Sequence, residues 1–343
     1  HAPDAHLAWK FLCLPDYLIY RLTGETATDR IIAQFSGLFD LGTRRWEPRL
    51  LAAAGITEEQ LPRIQEPGSV AGALLPGPAA ELGVPPGVPV CVGANDQIVG
   101  AVGAGNVRPG IASETTGTAL ALVATTETLR EGRGLCVGHH AVPGLSFAMA
   151  FANTSGIVLK WLRDLAAPGE SYEAFLAGAA AVPPGCDGLT LLPHFAGTAT
   201  PSFNPDARGA ISGLTLAHTR AHLARAILEA CACILQECIA EVGNQGTAIT
   251  RVRSLGGAAR SDLWLQIKAD LLGIPVERPV CSDAASLGAA ILAAAGTGAF
   301  RSIREAAEAW YRAAITFEPD ASRHAAYQEV YQRYTALYQQ LYG

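Results

Sequence analysis

Apolar positions recur along this chain with two different periods, and each change of period marks an element. Leu7, Trp9, Phe11, Leu12, Leu14 and Leu18 give the first segment its apolar faces, and the glycine of Leu22-Thr23-Gly24-Glu25 stops a helix there. The chain then reads as irregular to about residue 70, with Pro62, Pro67, Pro76 and Pro78 marking a loop-rich bridge. Residues 84–93 form a β-branched run expected to be a buried strand ending at Asp96. A glycine-rich stretch over 100–110 is expected to hold a short helix before a turn at Arg108-Pro109-Gly110. Residues 111–116 and 119–125 read as two strands around Gly117-Thr118, a tight hairpin. Strand 147–153 and helix 156–166 follow.

Over 219–242, Leu223, Ile227, Ala230, Ile234 and Cys238 fall at helical spacing and predict an amphipathic helix. Residues 253–255 lead as a short strand into Gly256-Gly257. Ser261 is placed to cap a helix whose face is Trp264, Ile267 and Leu271 and whose stop is Gly273. A strand over 274–280 and a small-residue helix over 282–295 come next. From Ile303 onward the tail is expected to be helical, with Tyr327, Tyr331, Tyr334 and Tyr338 as a packing stripe. Strands and helices joined at glycine-rich junctions argue for an α/β class, with a domain boundary near 105–110.

Composition narrows the function. Among 343 residues, 25 basic side chains face 31 acidic ones, a net charge of −6 that builds no basic face for nucleic acid. Half the residues are apolar and 16% charged, which supports a large core and argues against wholesale disorder. No apolar run is long enough to cross a bilayer, and no leader pattern is visible. The eight cysteines are scattered without a CxxC pair, so a reduced, soluble, cytoplasmic protein without zinc or disulfides is expected. His139-His140 would point to opposite faces of a strand, which disfavours a shared metal.

Four clusters carry candidate chemistry, and each has a plain structural alternative. Asn95-Asp96-Gln97, ringed by Gly93 and Ala94, sets a carboxylate in small surroundings, either as a general base toward a hydroxyl or as a cap of the next helix. Ser113-Glu114-Thr115-Thr116-Gly117-Thr118 offers backbone N–H groups and a hydroxyl to a phosphate, or is an ordinary hairpin. Gly256-Gly257-Ala258-Ala259-Arg260-Ser261 lets a nucleotide approach the backbone at a helix start, or is a plain strand-to-helix turn. Asn153-Thr154-Ser155-Gly156, ahead of Lys160-Trp161-Leu162-Arg163-Asp164, is a further such junction, or a helix start with a buried Trp. GxGxxG, a Walker A lysine loop and a Gly-x-Ser-x-Gly elbow are all missing from the sequence.

The order of these clusters is what resembles a family. GANDQIVGAVGAGNVRPG (93–110), SETTGTALAL (113–122), NTSGIVLKWLRD (153–164), PSFNPDARGAISGL (201–214), GGAARSDLWLQIKADLLGIPV (256–276) and SLGAAILAAAGTGAF (286–300) look like consecutive blocks of the FGGY carbohydrate kinases. That group includes xylulose and glycerol kinases. Leu22-Thr23-Gly24-Glu25 and the stretch from Asp40 to Trp46 are similar to its N-terminal lobe. The resemblance implies a ribonuclease H-like, actin-like α/β fold of two domains around a cleft, with residues 1–106 on the sugar side and 107–343 on the nucleotide side. It implies ATP and Mg²⁺, a sugar or polyol acceptor of pentulose type, no nucleic acid or membrane partner, and leaves a homodimer open. Asp96 matches the catalytic base, with Asn95 and Gln97 beside it on the substrate side. Gly117 and Thr118 match the turn that holds the transferring phosphate. Gly156 and Lys160 match nucleotide-side positions, and Gly256, Gly257 and Ser261 match the adenosine junction; no residue is assigned as a metal ligand.

The match has departures. The family's Ser-Leu-Gly-Thr-Ser-Gly turn reads Thr115-Thr116-Gly117-Thr118-Ala119-Leu120 here, and Ala258 stands where a third glycine is usual. The family's opening Asp-x-Gly-Thr phosphate hairpin has no counterpart in the sequence. On that ground the chain is expected to be a fragment of a longer kinase or a truncated homologue that is inactive alone. The rival reading is an inactive, kinase-related module that binds nucleotide or sugar.

Overall fold

The computed structural model describes residues 7–343, so the part of the first expected helix ahead of Leu7 lies outside them. In chain order the elements used below are helices α1 (Leu14–Thr23) and α2 (Asp96–Gly103) and strands β1 (Ile111–Thr116), β2 (Leu120–Thr126), β3 (Cys136–His139) and β4 (Ser146–Ala152). Helices α3 (Gly156–Ala166) and α4 (Arg220–Asn244), strand β5 (Arg251–Leu255), helix α5 (Asp262–Leu272) and strand β6 (Val276–Pro279) follow. Helices α6 (Ala284–Gly296) and α7 (Ile303–Trp310), strand β7 (Ala313–Phe317) and helix α8 (Ala321–Tyr342) complete the set.

Packing divides the chain into two compact units. The first takes the chain up to Val107 together with Gly138–Phe147 and Asp283–Tyr311; the second takes Arg108–Val137, Ala148–Ser282 and Arg312–Gly343.

The first unit has short two-stranded ribbons and small apolar clusters. One cluster gathers Ala33, Phe39, Trp46, Leu51 and Leu61; another gathers Ile19, Ala27, Ala71 and Val92. Helix α1 begins with proline in its first turn and stops at Gly24, which is left-handed and donates its N–H to the Tyr20 carbonyl. Two expectations need correction here. Pro76 and Pro78 do not bridge a loop but open a helix, Pro76–Leu82, because proline's fixed φ suits a first helical turn. The expected strand over 84–93 shrinks to Pro89–Cys91, paired irregularly with Val70–Ala73, because the Pro85-Pro86-Gly87 turn delays it. Asp96 therefore sits at the start of helix α2 and not at a strand end, and Asn95 is the cap.

Helices α2 and α6 cross with backbone against backbone. A Cβ on Gly288 would lie 1.9 Å from the Val99 carbonyl oxygen, and one on Gly103 would lie 1.8 Å from that of Ala284. Only glycine fits at either position, and the crossing fixes the helix that carries Asp96.

The second unit is built on a seven-stranded sheet of order β7-β6-β5-β1-β2-β4-β3, whose last two strands reach the division between units. β1, β5 and β6 run parallel to one another, while β2 and β7 are antiparallel to their neighbours β1 and β6. Helices α3, α4, α5 and α8 contribute to its apolar core. Helix α4 is not the half-wet helix the spacing predicts: every residue from Ala224 to Leu235 is buried. It meets β2, α3, α5 and α8, so over that span no face is left to water. The two charges within that span pair with each other: Arg225 Nε lies 2.8 Å from Glu229 Oε1, and Arg225 also donates to the Tyr327 hydroxyl at 2.7 Å. Tyr327 and Tyr334 of α8 are buried and form the core side of the tyrosine stripe. The tail is not wholly helical, because Ala313–Phe317 forms β7 along β6 between α7 and α8.

The α2–α6 crossing yields a prediction. Gly288→Ala should lower stability by about 1–3 kcal/mol, the usual cost of forcing a methyl group into a filled interior. Chemical denaturation of the two proteins would measure it, and equal midpoints would refute backbone contact at this crossing.

Candidate functional site

The first unit presents Asp96 at the first position of α2, exposed, with the half-buried Asn95 and Gln97 on either side. Asn95 Oδ1 accepts the Gln97 N–H at 3.0 Å, and Asp96 Oδ1 accepts the same N–H at 2.8 Å. Asn95 is thus committed to capping, while Asp96 projects its carboxylate from the positive end of a helix. The capping role falls to Asn95, one residue ahead of the Asp96 to which the sequence reading gave it as an alternative.

In the second unit three of the glycine junctions converge. The β1–β2 hairpin turns at Gly117-Thr118, and both residues are exposed. The Thr118 carbonyl accepts from the N–H groups of Ser155 at 3.0 Å and Ile157 at 3.3 Å, which ties the turn to the start of α3. A Cβ on Gly156 would lie 2.3 Å from the Gly117 carbonyl oxygen, so this contact needs a glycine. On the other side Gly256, with φ +78°, approaches the Thr116 carbonyl, where a Cβ would come within 2.9 Å. Gly117 and Gly257 face outward, with no heavy atom within 4 Å of where a Cβ would be. The turns therefore form a rim of exposed backbone above a packed floor.

The remaining predicted positions are engaged with their own helices. Ser261 caps α5, its hydroxyl accepting the Trp264 N–H at 3.3 Å, after a single 3-10 turn over Gly257–Arg260. Lys160 lies exposed on α3 and pairs with Asp164 one turn on.

Beneath the rim is a polar group that sequence reasoning misses. Glu114 and Lys268 are both fully buried, and Lys268 Nζ lies 2.5 Å from Glu114 Oε1. Thr116 Oγ1 donates to Glu114 Oε2 at 2.6 Å, and the Ser254 hydroxyl donates to Oε1. Lys268 also donates to Thr116 Oγ1 at 3.2 Å. A signal was present: Lys268 occupies the apolar face of α5, one turn after Trp264, where a charge is rare unless paired.

His139 and His140 serve separate ends. His139 Nε2 lies 2.8 Å from the Leu41 carbonyl oxygen, whereas His140 is wholly buried and accepts the Val142 N–H on Nδ1 at 3.0 Å. Burial, aided by the charge of Arg30, pushes His140 down to about 3. Among the described residues no three His, Cys, Asp or Glu side chains gather as a metal-binding group. Mg²⁺ needs only one or two carboxylates beside substrate phosphates; these side chains supply no cage for it.

Residues 1–103 match the N-terminal domain of the FGGY family of carbohydrate kinases, and residues 112–297 match its C-terminal domain. The chain belongs to that family, and its fold is the family's α/β, ribonuclease H-like, actin-like one. It is 31% identical to the xylulose kinase of Bacillus subtilis over 341 residues, spanning 98% of this chain and 68% of that protein. It is 34% identical to an autoinducer-2 kinase of Escherichia coli, spanning 96% of this chain and 65% of that one. The crystal structure of xylulose kinase from Rhodospirillum rubrum superposes with a TM-score of 0.91 at 34% identity, over 99% of this chain and 70% of that one.

The buried histidine sets a pH dependence. The unfolded chain protonates His140 near its ordinary value of about 6.5, while the folded chain resists until about 3. Between those values the unfolded state holds the extra proton, so His140 subtracts stability as pH falls, by up to roughly 1.4 kcal/mol per pH unit. Asp29, raised by burial to about 7, works in the opposite sense over an overlapping range. The comparison is therefore with His140→Gln: between pH 6.5 and 4.5 the unsubstituted protein should lose stability relative to the variant. Parallel pH profiles in denaturant titrations would contradict the assignment.

Proposed function

We propose that this chain carries the machinery for ATP-dependent phosphorylation of a pentulose-like sugar, with Asp96 as the general base. The observation that carries this reading is the convergence of Gly117-Thr118, Gly156 and Gly256-Gly257 into one exposed backbone rim. Membership of the carbohydrate kinases and the names of the relatives support the reaction class and the choice of a ketose. The first unit takes the sugar-side role and the second the nucleotide-side role.

In the proposed reaction a sugar hydroxyl oxygen attacks the γ-phosphorus of ATP. Its proton passes to the Asp96 carboxylate, an O–P bond forms, the β–γ bridging P–O bond breaks, and ADP leaves. Asn95 and Gln97 flank the base on the substrate side. The Gly117 backbone and the Thr118 hydroxyl hold the transferring group, and the adenosine lies along Gly256-Gly257, with Ser261 fixing the helix behind it. Gly156 keeps the hairpin turn seated, and Lys160 would reach a phosphate only by leaving Asp164. Mg²⁺, arriving with the nucleotide, would offset phosphate charge. Positioning and electrostatics supply most of the rate in such a site.

Two substitutions test the two halves. Asp96→Asn should cut kcat by roughly 10²–10⁴-fold while nucleotide affinity stays nearly unchanged, because the loss falls in the transition state. Steady-state kinetics with Mg-ATP and a ketose panel, paired with ATP titration, would decide it; a variant keeping more than about a tenth of kcat removes Asp96 as base.

Gly257→Val should weaken ATP binding and leave the melting temperature close to that of the unsubstituted protein. A Cβ at this position would meet no heavy atom within 4 Å beyond its chain neighbours, so the branch is directed into the space assigned to the nucleotide. Unchanged ATP affinity by calorimetry would take this turn out of the site.

A further inference from the structure

Glu114 and Lys268 are buried where an apolar pair would serve the fold as well. The wall around them is hydrophobic, with Ala112, Leu122, Val252, Ile267 and Leu271 all buried in the same core. Replacing a buried ion pair by well-packed apolar residues is often neutral or stabilising. What apolar residues cannot supply is direction, and here the directions are specific.

Glu114 faces Ser254 across the parallel pairing of β1 with β5, two residues ahead of Gly256. On its own strand it shares a face with Thr116, one residue ahead of Gly117. One carboxylate thus collects the Ser254 hydroxyl from the strand leading into one turn, the Thr116 hydroxyl from the strand leading into the other, and the Lys268 ammonium from α5. Lys268 closes the ring by also donating to Thr116 Oγ1 and lies 5.4 Å from the centre of the Trp264 ring. Above the ring the Thr116 carbonyl rests against Gly256. The other buried pair of this unit, Arg225 with Glu229, bonds to Tyr327, Ala179 and Gly185 and to neither turn.

We infer that Glu114 and Lys268 are positioning residues that hold the Gly117-Thr118 turn and the Gly256-Gly257 turn in fixed register, so that nucleotide affinity depends on the pair. The inference rests on the nucleotide-side reading of those turns. The pair touches no ligand; it acts through Thr116 and Ser254.

The test separates register from stability with two double variants. E114L/K268M replaces the ring with apolar groups, and E114Q/K268M removes both charges but keeps an amide oxygen for Ser254 and Thr116. Both should melt near the unsubstituted protein. In E114L/K268M, amide hydrogen exchange at residues 116–118 and 256–258 should rise about ten-fold or more while the strands keep their protection. ATP and ADP affinities should fall about ten-fold, in the range of coupling found among networked residues. E114Q/K268M should recover most of both losses. Unchanged exchange at the two turns in a folded E114L/K268M overturns the inference, whatever the nucleotide does. Raised exchange with unchanged ATP affinity overturns it as well. If Gly257→Val also leaves ATP affinity unchanged, the nucleotide reading fails; if Gly257→Val abolishes binding and E114L/K268M does not, only the register role fails.

Discussion

Close approach of backbone to backbone is the constraint on which both units depend. In the second unit the hairpin carbonyls of Thr116 and Gly117 rest against Gly256 and Gly156, at separations no side chain would allow. In the first unit Gly103 and Gly288 do the same for α2 and α6. Contacts of this kind have little tolerance: a turn held by backbone carbonyls cannot shift by an ångström without losing them. That is the condition a phosphate-holding turn needs, since its donors must be in place before the ligand arrives.

Such rigidity has to be anchored from below, and the two units do so differently. The first unit packs α2 against α6, where Gly103 and Gly288 allow the backbones to meet. The second places a charged ring under its rim, at a cost in desolvation that is offset only because every partner is present. Glu114 has three donors, and Lys268 has Glu114, Thr116 and the Trp264 face. Losing any one would leave a buried charge poorly met, so the ring stands or falls together.

Much of this was legible in the sequence, for identifiable reasons. Helix α3 and the β1–β2 hairpin follow from local pattern, because glycine and hydroxyl residues punctuate them sharply. Helix α5 was legible from cap to stop, Ser261 to Gly273. Asp96 was singled out but misplaced: a β-branched run after two prolines reads as a long strand, and only the partner strand's length reveals a short one. The burial of α4 on all sides was hidden because alanine and cysteine fill positions that periodicity counts as neutral. The strand Ala313–Phe317 was hidden because its partner, β6, lies more than thirty residues earlier. Glu114 and Lys268 are 154 residues apart, and no local rule joins them.

The contrast between the two chemistries follows from their surroundings. The turns proposed to hold the nucleotide are preorganised by the fold: the Glu114–Lys268 floor beneath them is buried. Asp96 is different, because it is exposed, has one oxygen on the Gln97 N–H, and stands on a helix whose cap is its neighbour. An exposed carboxylate is solvated, and water must leave before it can take a proton from a sugar hydroxyl efficiently. If Asp96 is the base proposed above, the fold fixes where it stands and leaves its desolvation to the bound sugar. On the proposed reading, acceptors would be discriminated chiefly at Asp96, where the sugar must complete the environment, while the nucleotide would be accepted at turns that are already formed.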